Sequence, residues 1–221
     1  MAIKTLAQLR TASQRRADME NSSFVSTAEW NTYIETGIVH LWDLVVSCDS
    51  DHLLTRAEVT VDANADGYQF PPSVVYHPKG VDLVDGSDTL TLLPFNFQER
   101  NMYQGSTATA LGRIPYRYHW TQDKLRIIPT PTSALSLVLW FVPVPVGLTY
   151  DTDSMNFYAG WDEYVVLDAA IRALTKEESD SSILMAERAR IEEKIRAAAT
   201  NRDHGLPETV TDVDSINDWW Y

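Results

Sequence analysis

The sequence predicts an α+β protein: a helical bundle formed by N- and C-terminal helices, an inserted antiparallel β domain, and an extended C-terminal tail. Three observations predict it. Apolar residues recur at helical spacing before residue 49 and again after residue 160. Between these stretches, short apolar runs are punctuated by Pro, Gly, Asn and Asp, the pattern of strands joined by turns. After Asn201 the periodicity dissolves, and Gly205 and Pro207 stop the last helix. The expected segments are therefore residues 1–48 (N-terminal helices), 49–150 (β insertion), 151–205 (C-terminal helical hairpin) and 206–221 (arm).

The N-terminal segment opens on Thr5-Leu6-Ala7-Gln8, a capping box, so a short helix is expected up to about Arg16. A polar turn, Asp18 to Ser23, follows. Ser26-Thr27-Ala28-Glu29 is a second capping box, with Val25 and Trp30 in the two positions of a hydrophobic staple. Trp30, Ile34, Ile38, Leu41 and Val45 then recur at helical spacing over residues 27–47, and Tyr33 and Trp42 widen the apolar face.

In the β segment the expected strands are Ala57–Val61, Thr89–Leu93, Tyr116–Trp120, Leu125–Ile128 and Leu135–Val142. The last is apolar on both faces, as a central strand would be, and Pro143 and Pro145 end it because proline cannot donate to a ladder. A small antiparallel sheet or sandwich is the natural packing.

From Trp161 the period returns to helical. Tyr164, Leu167, Ile171 and Leu174 share a face, and Asp162 and Glu163 suit a first turn. Ser179-Asp180-Ser181-Ser182 breaks this helix and caps another over residues 182–200. Its inward stripe is expected to be Leu184, Ile191, Ile195 and Ala198, with Ile183 on the flank and a Glu192–Arg196 pair on the solvated side.

Composition narrows the function classes. The formal net charge of −13 argues against gripping a nucleic-acid backbone through a broad basic surface. No stretch approaches the ~20 apolar residues that cross a bilayer, and the N-terminus lacks a signal-peptide core, so a soluble, unprocessed protein is expected. The single cysteine, Cys48, excludes an internal disulfide or a zinc site of paired cysteines and reads as a small buried hydrophobe.

The chemistry-bearing motifs are sparse. His40, His52, His77, His119 and His204 include no metal-binding helical pair, and the nucleotide-binding and hydrolase signatures are missing. His40 reads as structural and His119 as part of a half-exposed strand face. Cys48 and His52 are near neighbours but define no nucleophile geometry. Asp62-Ala63-Asn64-Ala65-Asp66-Gly67 starts like a calcium loop, but Ser73 stands where the bidentate glutamate belongs, so turn chemistry is the plainer reading. No catalytic residue, cofactor or metal site is expected.

The tail is the unusual feature. It ends DVDSINDWWY, and no Lys or Arg follows Arg202. Exposed aromatic rings are unfavourable in water, so Trp219, Trp220 and Tyr221, with Val213 and Ile216, are candidate partner-binding residues. Three stretches carry a resemblance: "LAQLRTASQRRADMENSSFVSTAEWNTYI", "LPFNFQERN" and "GWDEYVVLDAAIRALTKEESDSSILMAERARIEEKI". Together they resemble the head-to-tail adaptor (connector) proteins of tailed bacteriophages.

The resemblance implies a virion protein at the head-tail junction, made in the host cytoplasm. It implies a ring of roughly twelve copies beneath the portal protein, closed by rotation, that extends the DNA channel towards a downstream tail or nozzle protein. Double-stranded DNA would pass its lumen without specific binding, no membrane would be involved, and the C-terminal arm would dock on the portal. Another tail or baseplate component is the alternative, and a hydrolase with carboxylates on the β domain is the more distant one.

Overall fold

The computed structural model describes residues 4–48, 51, 53–70, 74–98, 100, 116–121, 124–155 and 160–200. Four helices and eight strands occur among them, in the order helix-helix, eight strands, helix-helix.

Helix α1 (Leu6–Arg16) begins as its capping box dictates. The Thr5 N–H donates to Gln8 Oε1 at 3.0 Å, and the Gln8 N–H donates to Thr5 Oγ1 at 3.4 Å. Two further first-turn donors find carbonyls far along the chain: Leu6 N–H to Asp153 at 2.8 Å and Ala7 N–H to Asp151 at 3.2 Å. Helix α2 (Thr27–Cys48) has the same device, with the Ser26 N–H donating to Glu29 Oε2 at 2.9 Å. Val25 and Trp30 are both buried in one core, as a staple requires.

Helix α3 (Asp162–Lys176) is the bundle's central rod, packed against α1, α2 and α4. That position buries far more than the expected stripe. Val165, Val166, Ala169, Ala170 and Ala173 are as hidden as Tyr164 and Leu167. Helix α4 (Ser182–Thr200) packs on α3 and α2 with one face. Its stripe departs from expectation at one end. Ile195 and Ala199 are buried, whereas Ala198 and Ile183 are exposed. Ala198 and Ala199 flank the direction of Ile195 on opposite sides, and the side that meets the bundle is that of Ala199.

The strands form two four-stranded sheets, ordered β1-β8-β3-β4 and β2-β7-β6-β5. Their ranges are β1 Thr55–Val61, β2 Gly67–Gln69, β3 Val75–Asp85, β4 Asp88–Thr91, β5 Leu93–Pro94, β6 Arg117–Trp120, β7 Lys124–Ile128 and β8 Leu135–Pro143. All pairings are antiparallel except the short β5–β6 contact. Side chains of both sheets share one apolar core, with Val81, Leu83, Leu137, Leu139 and Phe141 facing Tyr118, Leu125 and Ile127.

Two strand expectations need correction. The run Thr89–Leu93 is divided between sheets: β4 ends at Thr91, Leu92 is buried in the shared core, and β5 joins the second sheet. Strand β3 is not among the expected strands, and its run contains Pro78 and Gly80. The ladder absorbs both at register shifts, between Val75 and His77 and between Pro78 and Gly80. Over that half β3 pairs only with β8, since β4 reaches just Asp82–Asp85, so proline's missing donor costs no second ladder.

Strand β8 is central, as its two-faced apolar pattern predicts, and it joins the two cores. Phe141 belongs to the β core while Val142, the next residue, belongs to the helical core. A hydrogen bond from the Tyr76 hydroxyl of β3 to the Asp43 carboxylate of α2 adds a polar tie between the same parts. That bond holds the Tyr76 phenol above its ordinary pKa, because ionising it would set a phenolate against a carboxylate.

Candidate interaction surfaces

The five tail residues singled out from the sequence, Val213, Ile216, Trp219, Trp220 and Tyr221, lie outside the described residues, as do His52 and His204. The geometry of the body can still be read for what it could bind or catalyse.

Its densest polar cluster is structural. Asp168 on α3 is 1 % exposed and is held by three groups. Arg188 of α4 donates to its Oδ1 at 2.5 Å, Arg172 donates to Oδ2 at 2.9 Å, and His40 Nδ1 of α2 lies 3.6 Å from Oδ2. One carboxylate thus gathers groups from three helices. A hydrogen-bonded buried carboxylate of this kind specifies a packing geometry more than it adds net stability. His40 therefore belongs to a helix-packing knot. Gly37, one turn before it, lets α2 approach α3: a Cβ there would stand 3.2 Å from Val165 Cγ1 and 3.5 Å from Asp168 Oδ2.

The other chemistry-bearing residues are dispersed. His119 on β6 sits between the rings of Phe95 and Phe97, with centroids 5.2 and 5.9 Å away. His77 is exposed on β3. Cys48 is half-buried instead of fully buried, and Arg196 Nη1 approaches its Sγ at 3.9 Å. Asp62 to Gly67 form the β1–β2 turn. The Ala65 N–H donates to the Asp62 carbonyl at 3.1 Å, and the Asp66 carboxylate accepts from the Lys124 ammonium, which holds its pKa below the usual range. Among the described residues no group of three or more His, Cys, Asp or Glu is placed to hold a metal ion. No helix among them is long and apolar enough to cross a membrane.

Two concavities mark the body. A groove of about 690 Å³ runs along α1 and α3 over Ala7, Ala12 and Val166, rimmed by Lys4, Arg15 and Arg16. Its cations are already committed: Lys4 Nζ to Asp162 at 2.7 Å, Arg15 to Glu20 at 2.7 Å and Arg16 to Glu163 at 2.5 Å. The second, about 550 Å³, is a cleft between α2 and the chain leaving β8, lined by Ile38, Trp42, Leu53, Pro143, Pro145 and Val146 together with the polar Thr55 and Ser154. The first turn of α4 adds exposed apolar side chains at Ile183 and Met185. Sequence periodicity foresaw Ile183 only as a flank residue, and nothing in it signalled the cleft, whose walls lie about a hundred residues apart.

This is a body with large contact surfaces, a rigidly pinned helical core and scattered titratable groups. The family described as SU10 adaptor protein matches residues 4–211. The chain belongs to the SU10 adaptor protein family. The match begins just before α1 and ends inside the tail, so it takes in the bundle, the β region and the start of the arm. A member of a head-to-tail adaptor family is a structural protein of the bacteriophage virion, and that membership implies contact with portal and tail proteins and not catalysis. Comparison with curated proteins gives no match.

Proposed function

We propose that this chain is the head-to-tail adaptor that forms a closed ring of about twelve copies beneath the portal and carries the DNA channel on to the tail. In this reading residues 1–48 and 151–205 are the ring body, 49–150 an insertion turned to the next tail or nozzle protein, and 206–221 an arm onto the portal. The observation that carries it is the family match across residues 4–211, which spans the body and the start of the arm.

Several physical features support the reading. A ring closed by rotation needs two unlike surfaces on each copy. Helix α4 offers one: it lies at the side of the bundle and exposes Ile183 and Met185 outward, at 79 % and 46 %. The groove along α1 offers the other. A net charge of −13 repels phosphates, so DNA would slide through the lumen without sticking. The arm brings rings that suit interface hot spots, and ring symmetry multiplies modest affinities.

The test is binding to purified portal by the full chain and by a W219A/W220A/Y221A variant. Removing two or three hot-spot rings should weaken binding by about 30-fold or more. Undiminished binding by the variant would remove the arm from the portal contact.

A further inference from the structure

We propose that the cleft between α2 and the end of β8 is a parking site for this chain's own last three residues, Trp219, Trp220 and Tyr221, in a subunit not yet joined to a portal. The inference rests on the reading above, that these rings are the portal anchor, and says where they sit before they are used.

The cleft has the chemistry of an aromatic receptor. Ile38 and Trp42 of α2, both largely buried, and Leu53, Pro143, Pro145 and Val146 give it apolar lining, and Thr55 and Ser154 set hydroxyls beside it that suit the polar edges of Trp and Tyr. Its volume of about 550 Å³ falls within the ~300–1,000 Å³ of pockets that enclose a drug-sized molecule, and two or three rings are of that size. Pro143 and Pro145 carry no N–H, so a ring laid against that wall leaves fewer buried donors unpaired than it would over ordinary backbone. Val146 stands at the lip 80 % exposed, an apolar side chain with nothing over it among the described residues. The α1 groove is the poorer host, because its rim is closed by ion pairs that an acidic arm would have to break.

Chain geometry selects the occupant. Helix α4 ends at Thr200, and Arg196, one turn earlier, touches Cys48, the last residue of α2. The arm therefore starts at the same end of α2 from which the chain runs on to Leu53 and the cleft. Ile38 and Cys48 are ten residues apart on that helix, roughly 15 Å. Residues 201–218 span up to ~60 Å when extended, so the rings reach the cleft without strain. The tether holds them at an effective concentration in the millimolar range, enough for a weak site to fill. Cleft and portal then compete for the same rings.

The probe is a fluorescein-labelled peptide of residues 207–221, titrated by anisotropy into three full-length proteins. Into W219A/W220A/Y221A, whose own arm is disabled, it should bind measurably. The intact chain, its cleft occupied, should bind it at least tenfold more weakly. Adding V146E to the disabled chain should also cost tenfold or more, and because Val146 is exposed the fold should persist, as circular dichroism would show. Equal affinity for intact and disabled chains, no loss with V146E, or no binding at all overturns the proposal. Dimers of the intact chain that vanish in W219A/W220A/Y221A would give the cleft to a neighbour's arm and overturn the same-copy assignment. The same peptide tested on purified portal separates the two ideas. Binding to portal alone sinks the parking site, and binding to the cleft alone sinks the portal anchor.

Discussion

The helical and β regions are stabilised on different length scales. In the bundle most instructions are local: capping boxes at Thr5 and Ser26, apolar residues every three or four positions, and a break at Ser179 to Ser182. The Asp168 knot, joining His40, Arg172 and Arg188, adds a buried long-range polar constraint, and the pairs Lys4–Asp162, Arg16–Glu163 and Glu29–Lys176 add more exposed ones. In the β region the β3–β4 and β6–β7 hairpins are local, but the pairings that join the rest of the sheets are long-range. Strand β8 lies between β1 and β3, whose residues are some 50 to 80 positions away, and β7 pairs with β2 across a similar span. Local order tells the chain where helices start, whereas distant order decides which strands meet.

Three substitutions sharpen or break that contrast. The largest effect is expected at Asp168, the more deeply buried of the two buried carboxylates among the described residues. Asp168→Ala leaves Arg172 and Arg188 without their shared partner, and removing one member of a buried pair costs several kcal/mol. Both arginines retain about a third of their side-chain exposure, so a loss of about 3 kcal/mol in denaturant unfolding is expected. A loss under about 1 kcal/mol would mean that apolar contacts alone set the helix packing.

Next is a backbone constraint in the β region. Gly67 has φ +152°, and a Cβ there would stand 1.8 Å from the Leu125 carbonyl oxygen of the paired strand. Gly67→Ala must push β2 away from β7, at a cost of about 2 kcal/mol or more. Hydrogen exchange should show lost protection at β2 and β7, with α1 to α4 much less affected. Equal loss across the helices would show the two regions opening as one unit.

The smallest effect is at a helix end. Glu29 is held down to about 2, first by its hydrogen bond from Lys176 and then by those from the Ser26 backbone N–H and hydroxyl. A depressed carboxylate contributes stability that is full above its unfolded value near ~4.3 and disappears as pH falls through the folded value. The intact chain should therefore exceed Glu29→Gln in thermal midpoint at pH 7. That advantage should shrink between about pH 4.5 and 2, because both side chains are then neutral. A constant difference across that range would place the effect in packing, not in the ion pair with α3.

Much of this was legible in the residues. The four helices and the capping boxes of α1 and α2 followed from the residues, and β8 declared itself central by being apolar on both faces. The places that misled have physical causes. Strand β3 carries Pro78 and Gly80 inside its run, at register shifts, and a bulge tolerates what a regular ladder does not. Leu92 hid a change of sheet because an uninterrupted run carries no mark of a corner. Ala198 was given the inward position of Ala199 because residues so small leave little amphipathic signal.

The surfaces divide the same way. The acidic, ring-ended arm is plain in the residue order, and so is the resemblance that the family match bears out. The cleft could not be read there, since Ile38 and Trp42 meet Pro143 and Pro145 only after both cores have formed. By itself the sequence determined where helices begin, where the chain turns, and that one end is acidic and aromatic, because those depend on neighbours within a few residues. Tertiary structure alone decided that Asp168 would hold three helices, that β8 would link two cores, and that a cleft would open beside α2. Each of those needs groups that only the folded chain brings within reach.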